Sequence, residues 1–432
     1  MSGIRKLPGL FLIASILTGT LLLSSCVKDP TLPVLTTDEA IEITTISATV
    51  GGNVTEDGGA EVTARGVCWG TAAMPALEDN FKASGTGSGE FSCIIDGLDP
   101  NTEYYARAYA ENSVGVAYGN EVIFTTGIAP PSVTTGQVTG VTDNSAICSG
   151  TVTYNGGAPN TEKGICWSNS PDPDLDDSHV SVTTGSDTYS GTLTGLSSGT
   201  RYYARAYVKN EGGTAYGEQV VFVTKVADIE GNLYSTVYIG EQVWMAENLR
   251  TTTFTNNAPI PNVTDNTEWS NLNGPAYCWY NNDISYKPTF GALYSWFTIE
   301  SGALCPSGWH VPSDAEFNAL EMFLGMNPDS VNVWGWRGTD QGSQLKSTTS
   351  WDDGGNGTNT SGFSGLAGGY RIGLSGNFYA VGILTYWWTA TDDSVNDKPE
   401  VAWYRRLDGE YNDIYKATTY KRGGKYIRCV KN

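Results

Sequence analysis

An internal repeat limits the folds that are open to the first half of this chain. The segment RGVCWG (65–70) recurs as KGICWS (163–168), and YYARAYAENSVGVAYGNEVIFTT (104–126) recurs as YYARAYVKNEGGTAYGEQVVFVT (202–224). Cys68 and Cys166 lie 98 positions apart. The other matched residues show the same offset, so the two copies differ by no net insertion and each is predicted to fold into the same module.

Each copy is predicted to be a β-sandwich. Its short segments alternate apolar and polar residues and are separated by glycine, asparagine and aspartate turns. In one such segment the alternation places Tyr104, Ala106 and Ala108 on the same face of a strand. The composition agrees, because 52 glycines, 24 tyrosines and 13 tryptophans in 432 residues suit strands, turns and aromatic surfaces better than helical bundles.

The segment LDPNTEY (98–104) resembles the tyrosine-corner segment of fibronectin type III domains. The second copy has Ser198 at the position of the proline. We therefore predict two fibronectin type III-like or immunoglobulin-like sandwiches, at residues 34–126 and 132–224. The segment GIAPPS that joins them is predicted to be a stiff linker.

The N-terminal residues are predicted to direct export. A basic start precedes an apolar stretch (10–23) that is too short to span a membrane comfortably. The residues LSSC that close it resemble the bacterial lipobox, which implies that Cys26 is lipidated and becomes the mature N-terminus. An ordinary signal peptide with an incidental cysteine, or an uncleaved anchor, is the alternative. We predict a signal peptide (1–25), a tether (26–33) and a lipid anchor in the outer membrane of the bacterial cell envelope; the sequence leaves open whether the chain faces the periplasm or the outside.

The repeat pattern ends before residue 228, and four motifs in a fixed order mark the third domain. They are GEQVWMAENLR (240–250), CPSGWHVPSDAEF (305–317), GFSGLAGGYR (362–371) and RCVKN (428–432). With these motifs, residues 228–432 closely resemble the Fibrobacter succinogenes major paralogous domain family. The resemblance implies an exported or surface domain with a C-type-lectin-like fold, frequently preceded by a lipoprotein signal and immunoglobulin-like modules. The predicted fold class is therefore mainly β: two β-sandwich modules followed by an α+β C-type-lectin-like domain.

The resemblance also implies a disulfide between Cys305 and Cys429, since in such folds a cysteine near the first helix pairs with one on the last strand. Cys278 would then remain as a buried thiol. In the sandwiches, bridges between Cys68 and Cys93 and between Cys148 and Cys166 are permitted in an exported chain, and buried free thiols are equally consistent with the sequence.

His310 precedes a helix start that is marked by the capping box of Ser313 and Glu316. We interpret this histidine as a packing residue, because a zinc site needs three or four ligands and the only other histidine, His179, lies in a different segment. The acidic run at 172–177 lacks the glycine and the final glutamate of an EF-hand and is interpreted as a solvated turn. No cofactor or metal is predicted.

The ligand-binding candidates lie in the irregular stretch from 351 to 400. Trp387 and Trp388 are adjacent, so a strand there would turn them to opposite faces, and the outward one could stack on a sugar ring. Asp392 and Asp393 follow and could contact the ligand or, with Asp397 and Glu400, hold calcium. The alternative is an acidic loop in water.

Three functions remain open from the sequence. The leading hypothesis is a non-catalytic cell-envelope lipoprotein that presents a lectin-like domain for carbohydrate or protein binding on β-sandwich spacers. The second is a structural or adhesive surface protein without a small ligand. An enzyme with the formylglycine-generating fold, or a glycoside hydrolase, is the third, but no catalytic motif supports it. Removing residues 1–25 takes away two positive charges and lowers the net charge from −21 to −23. Because such an acidic chain is repelled by phosphate groups, nucleic acid is excluded as a partner.

Overall fold

The computed structural model describes residues 28–183, 185–393 and 400–432, and these residues are mainly β-structure. The chain divides into two compact units, Met1–Ile128 and Ala129–Asn432. Within the described residues, no helix has the length and apolar character needed to cross a bilayer. Cys26 lies outside the described residues, so its lipidation stays a prediction.

The first unit contains one antiparallel β-sandwich. Its strands are β1 Val34–Thr37, β2 Ser47–Glu56, β3 Ala64–Gly70, β4 Asn80–Ala83, β5 Gly89–Asp96, β6 Glu103–Asn112, β7 Gly115–Tyr118 and β8 Val122–Thr125. One sheet has the order β1-β2-β5, and the other has the order β4-β3-β6-β7 with β8 also paired to β6. Tyr104, Ala106 and Ala108 are all buried, as the alternation predicts.

The second sandwich repeats this topology. Its strands are β9 Ser132–Thr139, β10 Ser145–Tyr154, β11 Glu162–Ser168, β12 Ser178–Ser181, β13 Thr188–Thr194, β14 Arg201–Asn210, β15 Gly213–Tyr216 and β16 Val220–Val223. The sheets are β13-β10-β9 and β12-β11-β14-β15, with β16 paired to β14. The tyrosine corner is present in both copies: the hydroxyl of Tyr104 accepts from Asp99 N at 3.0 Å, and that of Tyr202 accepts from Ser197 N at 3.0 Å.

The four sandwich cysteines are buried free thiols. In the first copy Val67 faces the core that contains Cys93, so its neighbour Cys68 points to the opposite face of the same strand. In the second copy Cys148 lies in the core beside Ile165, and Cys166 points away and donates to Pro173 O at 3.3 Å. Strand alternation therefore separates the members of each potential pair by a sheet.

The C-terminal domain mixes short helices with two larger sheets. Its strands are β17 Val226–Ala227, β18 Leu233–Tyr234, β19 Thr236–Ile239, β20 Gln242–Met245, β21 Tyr277–Cys278, β22 Leu293–Tyr294, β23 Trp309–His310, β24 Gly335–Arg337, β25 Gly368–Arg371, β26 Phe378–Val381, β27 Leu384–Asp392, β28 Val401–Asp408, β29 Ile414–Tyr420 and β30 Val430–Lys431; its α-helices are α1 Asn266–Ser270, α2 Lys287–Phe290, α3 Asp314–Phe323 and α4 Gln341–Leu345. The larger sheets have the orders β19-β20-β30-β23 and β24-β29-β28-β27-β25-β26.

The disulfide implied by the family resemblance is present between Cys305 and Cys429, and Cys278 is a buried thiol, as expected. The bridge joins the segment before α3 to the start of the last strand across 124 positions of sequence. The C-type-lectin-like fold of this domain stays a prediction. The disulfide and the mixed α+β architecture agree with it.

Helix α3 covers one face of the six-stranded sheet through a buried ion network. The predicted capping box starts the helix, with Ser313 and Glu316 bonded reciprocally. Further along the helix, Glu321 accepts from Arg405 Nε at 2.6 Å and from Arg337 Nη2 at 2.5 Å. These three side chains are at most 1% exposed. The helix is therefore fixed to β24 and β28 by charge as well as by apolar packing.

The second sandwich contacts the C-terminal domain within the same unit. Lys431 Nζ donates to Gly199 O at 2.9 Å, and the guanidinium carbon of Arg201 lies 4.0 Å from the ring centroid of Tyr238. The first copy has Glu103 at the position of Arg201. The second copy thus differs from the first at the end that meets the following domain.

Candidate functional site

The prediction that one of the two adjacent tryptophans faces outward is wrong, because Trp387 and Trp388 are 1% and 0% exposed. They do point to opposite faces, as the strand period requires, but β27 is an interior strand and both faces are covered at this point. Trp387 Nε1 donates to Asn248 Oδ1 at 2.8 Å, and Trp388 Nε1 donates to Tyr294 O at 3.0 Å. Both rings are core residues and neither can stack on a ligand.

The two aspartates do not join an exposed tryptophan either. Asp392 is half-buried at the end of β27 and lies 3.5 Å from Lys421 Nζ. Asp393 is 2% exposed, which removes it from the surface. Among the described residues, no three Cys, His, Asp or Glu side chains converge on a common metal position. Asp397, the remaining aspartate of the proposed calcium set, lies outside the described residues.

The other polar candidates have local partners. The ring nitrogens of His310 lie 2.7 Å from Glu316 Oε1 and 2.6 Å from Asn432 Oδ1, which is the structural role that we predict for this histidine. In the acidic run, Asp174 Oδ1 accepts from Asp176 N at 2.8 Å, and Asp177 Oδ2 accepts from Asp174 N at 3.2 Å. These carboxylates stabilise their own turn.

The most distinctive surface is a row of aromatic side chains on the face of the six-stranded sheet opposite α3. Each strand contributes one ring, and we call the row the aromatic face; in sheet order it consists of Trp336, Tyr415, Tyr404, Tyr386, Tyr370 and Tyr379. Successive ring centroids lie 5.2, 6.3, 5.2, 4.5 and 6.1 Å apart. The row is therefore continuous across the whole sheet.

Strand register produces this row. Trp336 lies opposite Tyr415, and Tyr370 lies opposite Tyr379. The neighbouring positions on the strands alternate to the other face, where Arg405 and Arg337 meet the buried Glu321. Cross-strand aromatic pairs stabilise a sheet by roughly 0.2–1 kcal/mol each, so the row contributes to stability as well as forming a surface.

The ends of the row are the most accessible part. Tyr379 is 59% exposed at one end. At the other end Tyr411, which is 41% exposed, stacks on Trp336 with ring centroids 4.1 Å apart. Tyr386 in the middle is buried, and the remaining rings are half-buried. The rings are thus most accessible at the two ends of the face and least accessible in its middle.

Two cations lie among the rings. The guanidinium of Arg406 contacts Trp336, Tyr386 and Tyr415 at 5.2–5.8 Å and forms an ion pair with Asp408. Lys425 is enclosed by rings from three strands. Burial raises the pKa of Tyr386, so its hydroxyl stays protonated at neutral pH. The face therefore offers ring surfaces together with hydroxyl and guanidinium donors.

Sequence reasoning missed this surface although part of its signal is visible. In each of the stretches TYWW, AWYRR and DIYKA, a tyrosine is next to residues whose side chains point to the opposite face of the strand. What the sequence does not give is the order of the strands, and only that order lines up Trp336 with Tyr415 and with rings from four other strands.

Comparison with known proteins identifies the domain that carries the aromatic face. Residues 237–431 match the model of the Fibrobacter succinogenes major domain. The C-terminal domain belongs to the Fibrobacter succinogenes major domain family. The match takes in all six strands of the aromatic face. No curated protein matches the chain.

Solved structures with similarity include the chicken CNTN1 FN1–FN3 domains. They are 15% identical, with 52% of this chain and 78% of that chain covered and a TM-score of 0.29. The sensor domain of the anti-sigma factor RsgI4 of Pseudobacteroides cellulosolvens is 20% identical over 22% of this chain and 96% of that chain, with a TM-score of 0.18. At these TM-scores neither structure adds to the fold that the strands themselves establish.

Proposed function

We propose that this protein is a non-catalytic, lipid-anchored protein of the bacterial cell surface whose C-terminal domain binds an extended glycan along the aromatic face. The two β-sandwiches act as spacers between the anchor and that domain. The observation that carries the proposal is the unbroken row of six rings, one from each strand of a single sheet.

The shape of the row favours a chain-like ligand. Strands lie ~4.8 Å apart, so six strands place the end rings roughly 24 Å from each other. The row is only one side chain wide, whereas a stable protein interface buries about 800 Å² on each partner. A linear oligosaccharide can lie along such a strip and contact several rings in turn.

The chemistry of the row also suits sugars. Tyrosine and tryptophan present an apolar ring with a polar edge, and sugar rings have apolar faces edged by hydroxyls. Arg406 supplies a guanidinium between the rings, and Asp408 fixes its position. Tyrosine, tryptophan and arginine are also frequent in protein interfaces, so a protein ligand is the outcome that the test must separate.

A length series of linear oligosaccharides tests this proposal. Cello-, xylo- and malto-oligosaccharides from dimer to hexamer, together with an array of bacterial and plant polysaccharides, are titrated against the mature chain. Affinity should rise with chain length until the oligomer spans the row. Tyr379→Ala should weaken binding of the longest oligomer roughly tenfold, or about 1.4 kcal/mol, and leave the shortest almost unaffected.

The matched control is Tyr154→Ala, which removes a tyrosine of similar exposure (43%) from the second sandwich. It should leave binding unchanged. Capture of a protein but of no glycan, or equal losses in both variants, would contradict the proposal.

The lipid anchor is a separate part of the proposal. It rests on the position of Cys26 directly after the apolar stretch of the export signal. Cys26→Ser should move the protein from the membrane fraction to the supernatant, and mass spectrometry of the wild-type N-terminus should find acyl groups on Cys26. An unmodified N-terminus elsewhere would contradict the anchor without affecting the aromatic face.

A further inference from the structure

Lys425 lies among the middle rings of the aromatic face, in an unusual position for a lysine. Its side chain is buried (3% exposed), and its Nζ lies 4.3 Å from the ring centroid of Tyr386, 4.7 Å from Tyr404, 4.9 Å from Trp388 and 5.4 Å from Tyr370. Three of these rings belong to the aromatic face. The lysine therefore fills a cage whose walls are the proposed binding surface.

In this cage the ammonium group of Lys425 is surrounded by aromatic rings and not by a counter-ion. Within the described residues Lys425 forms no ion pair, in contrast to Lys416 and Lys421, which both contact carboxylates. The groups facing it are the rings from β25, β27 and β28, and on the β22 side Tyr294, which it meets through the backbone. On the same face, Arg406 also contacts Tyr386 and is paired with Asp408.

We propose that protonation of Lys425 controls glycan binding by holding the rings of the aromatic face in place around its ammonium group. This inference rests on the proposed function and adds its regulation. A cation attracts the faces of the surrounding rings, whereas a neutral amine does so far less. Loss of the proton releases the rings, and a glycan must then order them when it binds.

The proton is exchanged in an accessible pH range. Burial lowers the pKa of Lys425 to about 7, because the ammonium is removed from water without a carboxylate to compensate. Lysine in water titrates near 10.4, so this side chain changes charge where an ordinary surface lysine does not. Affinity for the glycan should therefore fall as the pH rises through about 7, and by linkage bound glycan should raise the pKa of Lys425.

The first experiment needs no ligand. Near-UV circular dichroism of the mature chain, recorded from pH 5 to 9, should show a transition of the aromatic signal with a midpoint near 7. Lys425→Met, which keeps an unbranched apolar side chain in the cage, should abolish the transition. His310→Gln is the control for histidine titration in the same domain and should keep it.

The second experiment measures binding of cellohexaose, xylohexaose and maltohexaose at pH 6 and pH 8. For a hexamer that binds, the wild type should lose roughly fivefold in affinity between the two values, and Lys425→Met should bind equally at both. The inference would be overturned if the aromatic signal and the affinity of the wild type did not change with pH, or if the affinity rose with pH. If no hexamer binds while the aromatic signal titrates through Lys425, the proposed glycan specificity fails and the proton-dependent cage stands.

Discussion

The buried charge network under α3 gives a prediction whose size follows from the structure. Glu321 places one carboxylate oxygen against each of two guanidinium groups, those of Arg405 and Arg337, and all three side chains are at most 1% exposed. The substitution Glu321→Gln changes one oxygen to an amide nitrogen and removes the negative charge with almost no change in volume. It leaves the buried Arg337 without its counter-ion, whereas Arg405 keeps a second partner, Asp314 Oδ1, at 2.7 Å.

The expected cost is large for so small a chemical change. Removing one partner of a buried ion pair costs roughly 3–5 kcal/mol, because the remaining charge is uncompensated in a medium of low dielectric. Burial already lowers the pKa of Arg337 to about 10, although Glu321 opposes this shift. The cost should fall mainly on Arg337, because Arg405 keeps its ion pair with Asp314.

Tryptophan fluorescence during urea unfolding of the mature chain measures this cost. Eleven of the 13 tryptophans follow residue 228, so the signal reports mainly on the C-terminal domain. For an m-value of roughly 2 kcal/mol/M, the midpoint should fall by about 2 M. Glu300→Gln is the control, because Glu300 pairs with Lys421 from a half-exposed position and should cost less than about 1 kcal/mol. A loss below 1 kcal/mol for Glu321→Gln, or equal losses for both variants, would refute the argument.

Three further predictions follow from the same domain. Trp387→Ala and Trp388→Ala should each destabilise it by roughly 3–5 kcal/mol in urea unfolding, since both rings are core residues; a variant that stayed stable would contradict their burial. Replacing Cys305 and Cys429 by alanine should cost about 2–5 kcal/mol, because the bridge closes a loop of 124 positions, and reducing agent should destabilise the wild type but not the double variant. Between pH 7 and 9 Lys425 is protonated in the unfolded chain and loses its proton in the folded chain, so it makes the free energy of unfolding rise with pH by roughly 2–3 kcal/mol. Lys425→Met should remove that rise, and a variant with the same pH dependence of unfolding as the wild type would count against the lowered pKa.

Local sequence patterns predicted much of the framework. The constant offset between the repeats predicts two equal modules, and strand alternation buries Tyr104 and Ala106 as observed. The capping box of Ser313 and Glu316 starts α3 at the predicted residue. These features depend on neighbours in sequence or on a repeated pattern, which is why they can be derived without the tertiary structure.

The candidate site depended on information that local patterns lack. Alternation correctly turns Trp387 and Trp388 to opposite faces, but it does not say whether a face is covered, and at this point of β27 both faces are. The aromatic face requires residues as distant as Trp336 and Tyr415 to be neighbours, which follows from strand order. The sandwich cysteines stayed undecided from sequence for the same reason, since only the pairing of the sheets shows that Cys68 points away from the core.

The most direct test of the glycan-binding claim is a double-mutant cycle between the two ends of the aromatic face. Trp336→Ala, Tyr379→Ala and the double variant are compared with the wild type by calorimetric titration of the longest oligosaccharide that the wild type binds. The account predicts a loss of roughly tenfold for each single change and about a hundredfold for both, because distant contacts on one bound chain add. Unchanged affinity in the double variant, with its urea midpoint close to that of the wild type, would show that the glycan binds elsewhere.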